Sequence, residues 1–432
     1  MIKKHNILLA FYGDDFTGST DALDFISCAG ARAVLFIEPP TEVQLLQFPQ
    51  LDVIGVAGKT RALPSDEMEK ILIPAFEQLK ACGAKQVHYK VCSTFDSSPS
   101  VGSIGKAIDL GSAVFQNKLI PVLGGMPALG RYCLFGNLFA RMGIGSNGKI
   151  YRLDRHPSMS KHPVTPTEES DLRLHLGRQT NKSFGLIDVL QMEKPAGQWN
   201  EAIQAGEEAV LVDAMYEGQM VKIGEWMVGL EDHKALFSIG GSGVEAALGN
   251  FWKETGVLKP RTVWQTVEKA DPLLVVSGSC SPVTAAQIEW AKANGFEEVV
   301  IDAIKVCDGE PVDASRVISF LQQQKSVIVH TGQKQPDNLS SEMLGTALGT
   351  IAKEAVMQTG TRRVLVAGGD TSSYAARAME IDAVEMIAPL LSGAPLCRAY
   401  SGNEKINGLE VNFKGGQFGG ADYFGSVRNG KG

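Results

Sequence analysis

Short apolar runs recur along the first half of the chain, and each is closed by turn residues. Ile7–Tyr12 stops abruptly at Gly13, Asp14 and Asp15; Ala33–Ile37, Val53–Ala57, Val87–Val91 and Ile120–Leu123 follow. Runs of this length bounded by turn signals predict buried strands. Between them, Ser65–Cys82 has helical spacing, with Ser65 and Asp66 at its start and Gly83 as its stop. The alternation predicts βαβ units around a mainly parallel sheet. From Gly124 to Thr167 the periodicity disappears into a stretch rich in Gly, Pro, Arg and His. A long irregular segment facing substrate is the expectation there. Ala209–Asp213 and Ala235–Gly240 read as further strands of the same half.

Val257–Ala270 has no strong pattern and precedes a new βα series. The second half begins with the apolar run Pro272–Val276 and the helix Val283–Asn294. Val299–Asp302, Ser326–Thr331, a helix near Thr346–Thr359 and the strand Val364–Ala367 come next. These runs predict an α/β fold of two domains with mainly parallel sheets, residues 1–256 and 257–432.

Composition narrows the class. A chain of 432 residues exceeds one ordinary domain, and 44% apolar residues suffice for sizeable cores. Net charge is −7 with no dense Lys/Arg cluster, which argues against nucleic acid as a partner. No run is long enough to span a membrane, and Gly13-Asp14-Asp15 ends the first one too early for a signal peptide. Seven scattered cysteines without ligand spacing suggest neither a disulfide framework nor a zinc site. A cytoplasmic protein is the expectation.

Candidate chemistry clusters at strand ends. Asp14 and Asp15 follow the first strand, where open α/β sheets place their ligands. The plain alternative is that Asp15 caps the next helix while Asp14 solvates the turn. Lys90, Ser93 and Thr94 bring a cation and two hydroxyls to the end of another strand. Arg131, Arg155 and His156, with Arg141, Arg152, Lys161 and His162, lie in the irregular segment and suit an acidic substrate. Tyr132, Phe135 and Phe139 read as packing. Three glycine-rich turns in the second half resemble anion cradles: Ser277-Gly278-Ser279-Cys280-Ser281, Gly368-Gly369-Asp370-Thr371-Ser372, and Lys414-Gly415-Gly416-Gln417-Phe418-Gly419-Gly420. Gly240-Gly241-Ser242-Gly243 reads as a strand–helix connection. The chain has no Walker P-loop, and no dinucleotide fingerprint follows the first strand.

These motifs, in this order and over nearly the whole length, resemble those of the four-carbon acid sugar kinases. Gly13-Asp14-Asp15-Phe16-Thr17-Gly18-Ser19-Thr20-Asp21 is similar to the family's opening A-D-D-F-T-G-A-T-D, and the three glycine-rich turns match its later motifs. The resemblance implies a substrate-binding N-terminal domain, an ATP-binding C-terminal domain and a cleft between them. It implies Mg²⁺-ATP as phosphoryl donor and threonate, erythronate, 3-oxo-tetronate or a relative as acceptor. Under it, Ser277, Gly278, Ser279, Ser281, Gly368, Gly369, Asp370, Thr371, Gly415 and Gly416 would meet the nucleotide, with Asp370 a candidate for Mg²⁺. Lys90, Ser93, Thr94, Arg131, Arg155 and His156 would hold the acid. Asp15, in preference to Asp14, would act on the hydroxyl, and a homodimer is the assembly considered. The chain departs from the family's K-x-D-S-T-L-R-G at Cys92 and Asp96, so a branched acid such as 3-oxo-isoapionate becomes as plausible as a straight one. Rival classes are a non-catalytic sugar-acid sensor, a lyase or isomerase using the Asp pair and His156, and, more weakly, a dehydrogenase.

Overall fold

The computed structural model describes residues 6–142, 148–162, 164–261, 263–332 and 340–431. It is an α/β protein whose chain divides into two compact units. Unit 1 comprises Met1–Ala33 and Pro39–Arg261; unit 2 comprises Val34–Glu38 and Thr262–Gly432.

In the first half, strands form at Leu9–Gly13 (β1), Ala33–Phe36 (β2), Val53–Ala57 (β3), Gln86–Lys90 (β4) and Ile120–Leu123 (β5), where the apolar runs predict them. The segment expected to be irregular instead contains an antiparallel meander of Arg131–Leu134 (β6), Asn137–Arg141 (β7) and Ile150–Arg152 (β8). Residues 143–147 and 163 of that segment lie outside the described residues. Phe184–Ile187 (β9), Ala209–Val212 (β10) and Leu236–Gly240 (β11) complete the set.

The main sheet of unit 1 runs β3-β1-β4-β11-β5-β10-β9, and its pairings are parallel. β1 is buried along its whole length, as the centre of a doubly covered parallel sheet demands. Tyr12, Phe76, Tyr89, Phe115 and Phe237 form a linked aromatic core beside it, with Phe115 stacked on Phe237 at 5.1 Å. Parallel pairing brings the C-terminal ends of β1, β3 and β4 to one edge, with Gly13 in register with Ala57 and Lys90.

Unit 2 holds Leu274–Ser277 (β12), Glu297–Val300 (β13), Val327–His330 (β14), Arg363–Ala367 (β15), Ala383–Leu391 (β16), Ala394–Tyr400 (β17) and Glu410–Lys414 (β18). Its order is β13-β14-β12-β15-β18-β17-β16, and β2 pairs antiparallel with β16. β12, β15 and β18 are adjacent and parallel. Buried Arg363 locks this geometry. It grips Glu410 at 2.6 and 2.8 Å and donates to the Val427 and Glu268 carbonyls.

Candidate active site

The sharp turn after β1 is built by hydrogen bonds to the end of one neighbouring strand, β4, and to the segment that follows the other, β3. The Asp14 amide donates to the Lys90 carbonyl at 2.8 Å, and the Arg61 amide donates to the Asp14 carbonyl at 3.1 Å. Asp15 is the N-cap of the helix Phe16–Cys28. One of its oxygens accepts from the Gly18 amide at 2.8 Å and the other from the Thr17 hydroxyl at 2.9 Å. The plain capping role is therefore realised at Asp15. Asp14 is buried, accepts from the Cys92 amide at 3.2 Å, and leaves Oδ1 without a hydrogen-bond partner.

Two cations serve this pair. Arg61 forms an ion pair with Asp15 and lies 3.7 Å from Asp14. Lys90, buried at the tip of β4, reaches the same place because residue 18 is glycine: a Cβ there would stand 2.5 Å from Lys90 Nζ and against Asp15 Oδ1. The carboxyls are driven apart. Burial pushes Asp14 up to about 6, assisted by the Asp15 charge and only partly opposed by Arg61 and Lys90. Asp15 is also penalised by burial, but Arg61, Lys90 and its two hydrogen bonds outweigh that and hold it below the usual carboxylate range. Burial likewise raises Asp21 to about 6, despite Lys90 and a hydrogen bond from Ser242. Separated in this way, neighbouring carboxyls differ in the proton affinity they offer a ligand.

The segment after β4 closes one side. Ser93 accepts from Arg131 Nε at 3.2 Å, and Thr94 lies 3.1 Å from Cys92 Sγ. Burial and the Asp96 charge push the Cys92 thiol up to about 12, so it is neutral. Gly240-Gly241-Ser242-Gly243, expected to be a plain connection, lies beside this segment and donates the Ser242 hydroxyl to Asp21.

The remaining expected residues separate. Arg131 is buried, and its Nη1 is spent on the Leu129, Gly130 and Arg141 carbonyls, so it braces the β6–β7 meander as well as Ser93. His156 caps its own turn, accepting the Ser158 and Met159 amides at 3.3 Å. Burial, followed by the Arg131 charge, lowers its pKa. Arg155 is exposed and pairs with Asp154 at 3.5 Å; no described contact joins it to Asp14 or Lys90. Tyr132 and Phe139 do more than pack, lining an apolar groove of about 580 Å³ with Pro127, Leu134 and Ile150. Sequence reasoning missed Arg61. Its signal was available, since the turn after β3 must emerge beside that after β1.

In unit 2 the three glycine turns leave the C-terminal ends of β12, β15 and β18 and touch one another. A Cβ on Gly278 would lie 2.5 Å from Thr371 Oγ1, and one on Gly416 2.6 Å from Ser279 Oγ. Gly368 adopts φ +121, which side chains rarely accept, and its amide donates to the Lys414 carbonyl at 2.9 Å. Ser281 caps the helix Pro282–Ala293, while Gly369, Asp370 and Thr371 open the helix Gly369–Ala378. Two helix starts and close-packed glycines suit a polyphosphate. Ser277 lies beneath, its hydroxyl receiving the Ser279 amide at 3.4 Å. Gln287 pins the third turn through the Phe418, Gly419 and Gly420 carbonyls.

Asp370 is exposed in the first turn of its helix. Among the described residues no group of three His, Cys, Asp or Glu side chains converges on a metal position. A single carboxylate completed by phosphate oxygens is nevertheless the ordinary Mg²⁺ arrangement, so these residues fit that ion. No helix among the described residues is long and apolar enough to cross a membrane.

Residues 9–248 match a family model described as a sugar-binding N-terminal domain, and residues 274–424 match a nucleotide-binding C-terminal domain. A 3-oxo-isoapionate kinase of Paraburkholderia graminis is 40% identical, covering 98% of this chain and 95% of its own. The chain belongs to the four-carbon acid sugar kinase family. Other members of the family include a 3-oxo-tetronate kinase of Methylobacterium radiotolerans, 29% identical over 97% of this chain and 98% of its own. A second 3-oxo-tetronate kinase, from Salmonella typhimurium, is 26% identical over 95% and 96%. A solved Haemophilus influenzae structure shares the fold, with a TM-score of 0.72 at 22% identity over 97% of this chain and 99% of that one.

Proposed function

We propose that this chain is an ATP-dependent kinase that phosphorylates a hydroxyl of a branched 3-oxo sugar acid in carbohydrate-acid catabolism, with 3-oxo-isoapionate the first candidate. The observation carrying this reading is the convergence of three glycine turns at the ends of adjacent parallel strands. Amides, hydroxyls and two helix starts in one spot provide charge stabilisation for a polyphosphate.

In the proposed reaction the acid's carboxylate would meet Lys90 and Arg61. Its reacting hydroxyl would face Asp14, not Asp15. A base near neutrality combines a deprotonated population with proton affinity, and Asp14 at about 6 meets that need. Asp15 has both oxygens occupied and its proton affinity depressed, so its part is to fix the turn and balance Arg61. The hydroxyl oxygen bonds to the γ-phosphorus, the bond from that phosphorus to the bridging oxygen breaks, and ADP leaves. The hydroxyl proton passes to Asp14. Gly278, Ser279, Gly368, Thr371 and Gly416 would cradle the phosphates, and Asp370 would hold Mg²⁺. When bound, that ion neutralises phosphate charge.

The 40% relative and the departures at Cys92 and Asp96 support a branched acceptor over threonate, erythronate or 3-oxo-tetronate. A coupled ADP-release assay with Mg-ATP and each of these acids tests the reading. ADP formation that depends on 3-oxo-isoapionate is expected, and nucleotide binding without turnover on any acid would overturn it in favour of a sensor.

A further inference from the structure

Asp96, like Asp14 and Asp21, is an acid-site carboxyl whose hydrogen bonding is incomplete. It is 9% exposed, and its Oδ1 is buried without a partner. Several neighbouring donors are committed elsewhere, although Arg61 Nε is itself buried without a hydrogen-bond partner. Arg131 spends Nε on Ser93 and Nη1 on three carbonyls. Cys92 Sγ lies against the Thr94 hydroxyl at 3.1 Å. The Ser97 hydroxyl faces the Phe95 carbonyl at 3.0 Å and His175 Nε2 at 2.9 Å, and receives Gln179 Nε2 at 2.9 Å.

Backbone geometry aims this carboxyl. Phe95 has φ +53, a left-handed conformation unfavourable for an aromatic residue, and its ring is fully buried. Phe95 is anchored by its buried ring and Ser97 by its hydrogen bonds, with Asp96 between them. Its charge is felt at Arg61, Cys92 and Arg131. A buried carboxylate oxygen lacking a donor is costly and calls for one.

We infer that Asp96 is a specificity-determining residue whose free oxygen accepts a hydrogen bond from a substrate hydroxyl distant from the carboxylate. The inference rests on the proposed kinase reading and deepens it. An acid group cannot occupy this place, since two carboxylates would repel; the acid head is directed to Lys90 and Arg61. A neutral hydroxymethyl branch supplies the missing donor. The substrate class is thus a 3-oxo sugar acid bearing an additional hydroxymethyl group, which 3-oxo-tetronate lacks. A site built to bond a hydroxyl discriminates strongly against an analogue without it, because the analogue leaves the buried group unpaired.

The test compares kcat/KM for 3-oxo-isoapionate and 3-oxo-tetronate in the wild type, Asp96→Asn and Asp96→Ala. Wild type is expected to prefer the branched acid by about 100-fold or more, and Asp96→Ala to cut that preference by at least about 10-fold, chiefly through KM. Asp96→Asn, which keeps an acceptor oxygen, should fall between them. Thermal melts and ATP affinity of the variants that match wild type report intact folding. An unchanged preference in both variants overturns the inference. So does an equal loss for both acids, which marks a structural role. A wild type that releases no ADP with either acid is the failure of the kinase reading, and the inference falls with it.

Discussion

Lys414 Nζ donates to the Thr284 hydroxyl at 3.0 Å, and that hydroxyl donates to the Gly416 carbonyl at 2.8 Å. A fully buried lysine thus holds one of the glycine turns through a single intermediary. Burial lowers its pKa to about 7 from the ordinary 10.5. Between those values the unfolded chain binds a proton that the native protein does not, so stability rises with pH across this window. The penalty is fully present below about 7. Lys414→Met is expected to flatten the rise in Tm between pH 7 and 10 and to weaken ATP binding by about 10-fold. Thermal melts across that range and calorimetric titration check the two effects; a variant that melts with the wild-type pH dependence would show that Lys414 does not cause it.

Asp14→Asn should reduce kcat by at least about 100-fold, the scale of general base catalysis, with ATP affinity retained. In the wild type, kcat/KM should fall as pH drops below about 6. Stability moves the other way. From about 4 to 6 the native state keeps a proton that the unfolded chain has released, so stability declines as pH rises through this window. The variant should therefore melt a few degrees higher than wild type at pH 7. Unaltered turnover would remove Asp14 from the reaction.

Asp15→Asn preserves a capping acceptor but removes a charge from Arg61. A smaller kinetic loss than at Asp14 is expected, while Asp15→Ala should destabilise by about 1–2 kcal/mol through the lost cap. Chemical denaturation measures the second quantity. A larger loss of kcat at Asp15 than at Asp14 would reverse the assignment of base and cap.

Gly278→Ala brings a methyl group to 2.5 Å from Thr371 Oγ1 and forces the first two glycine turns apart. ATP affinity should fall by about 10-fold or more, whereas acid binding should not change. Pairing it with Thr371→Ala removes the hydroxyl that clashes, so part of the affinity should return, a non-additivity typical of touching residues. Strict additivity would place the cause elsewhere.

Much of this site was legible because its parts sit at the ends of strands that apolar runs announce. Asp14, Lys90, Gly278 and Gly368 each follow such a run within a few residues. What pairs with what was less legible. The chain alone favours Asp15 as the group acting on the hydroxyl. Its cap bonds to Thr17 and Gly18 occupy it, however, and leave Asp14, with an open oxygen, as the proposed base. The meander β6–β7–β8 escaped notice because its strands are short, half exposed and each carries an arginine. Strands β16, β17 and β18 also went unread, since proline and charged residues dilute their apolar signal.

The pairing of β2 with β16 has a consequence for how this protein can be taken apart. Val34–Glu38 is emitted early in synthesis, yet it completes a sheet whose other strands come more than two hundred residues later. A fragment beginning near residue 262 would carry all three glycine turns but leave β16 as a bare edge, open to pairing between copies. The two halves are therefore not interchangeable cassettes. Any exchange of nucleotide modules between relatives, in evolution or in the laboratory, must carry this short strand along.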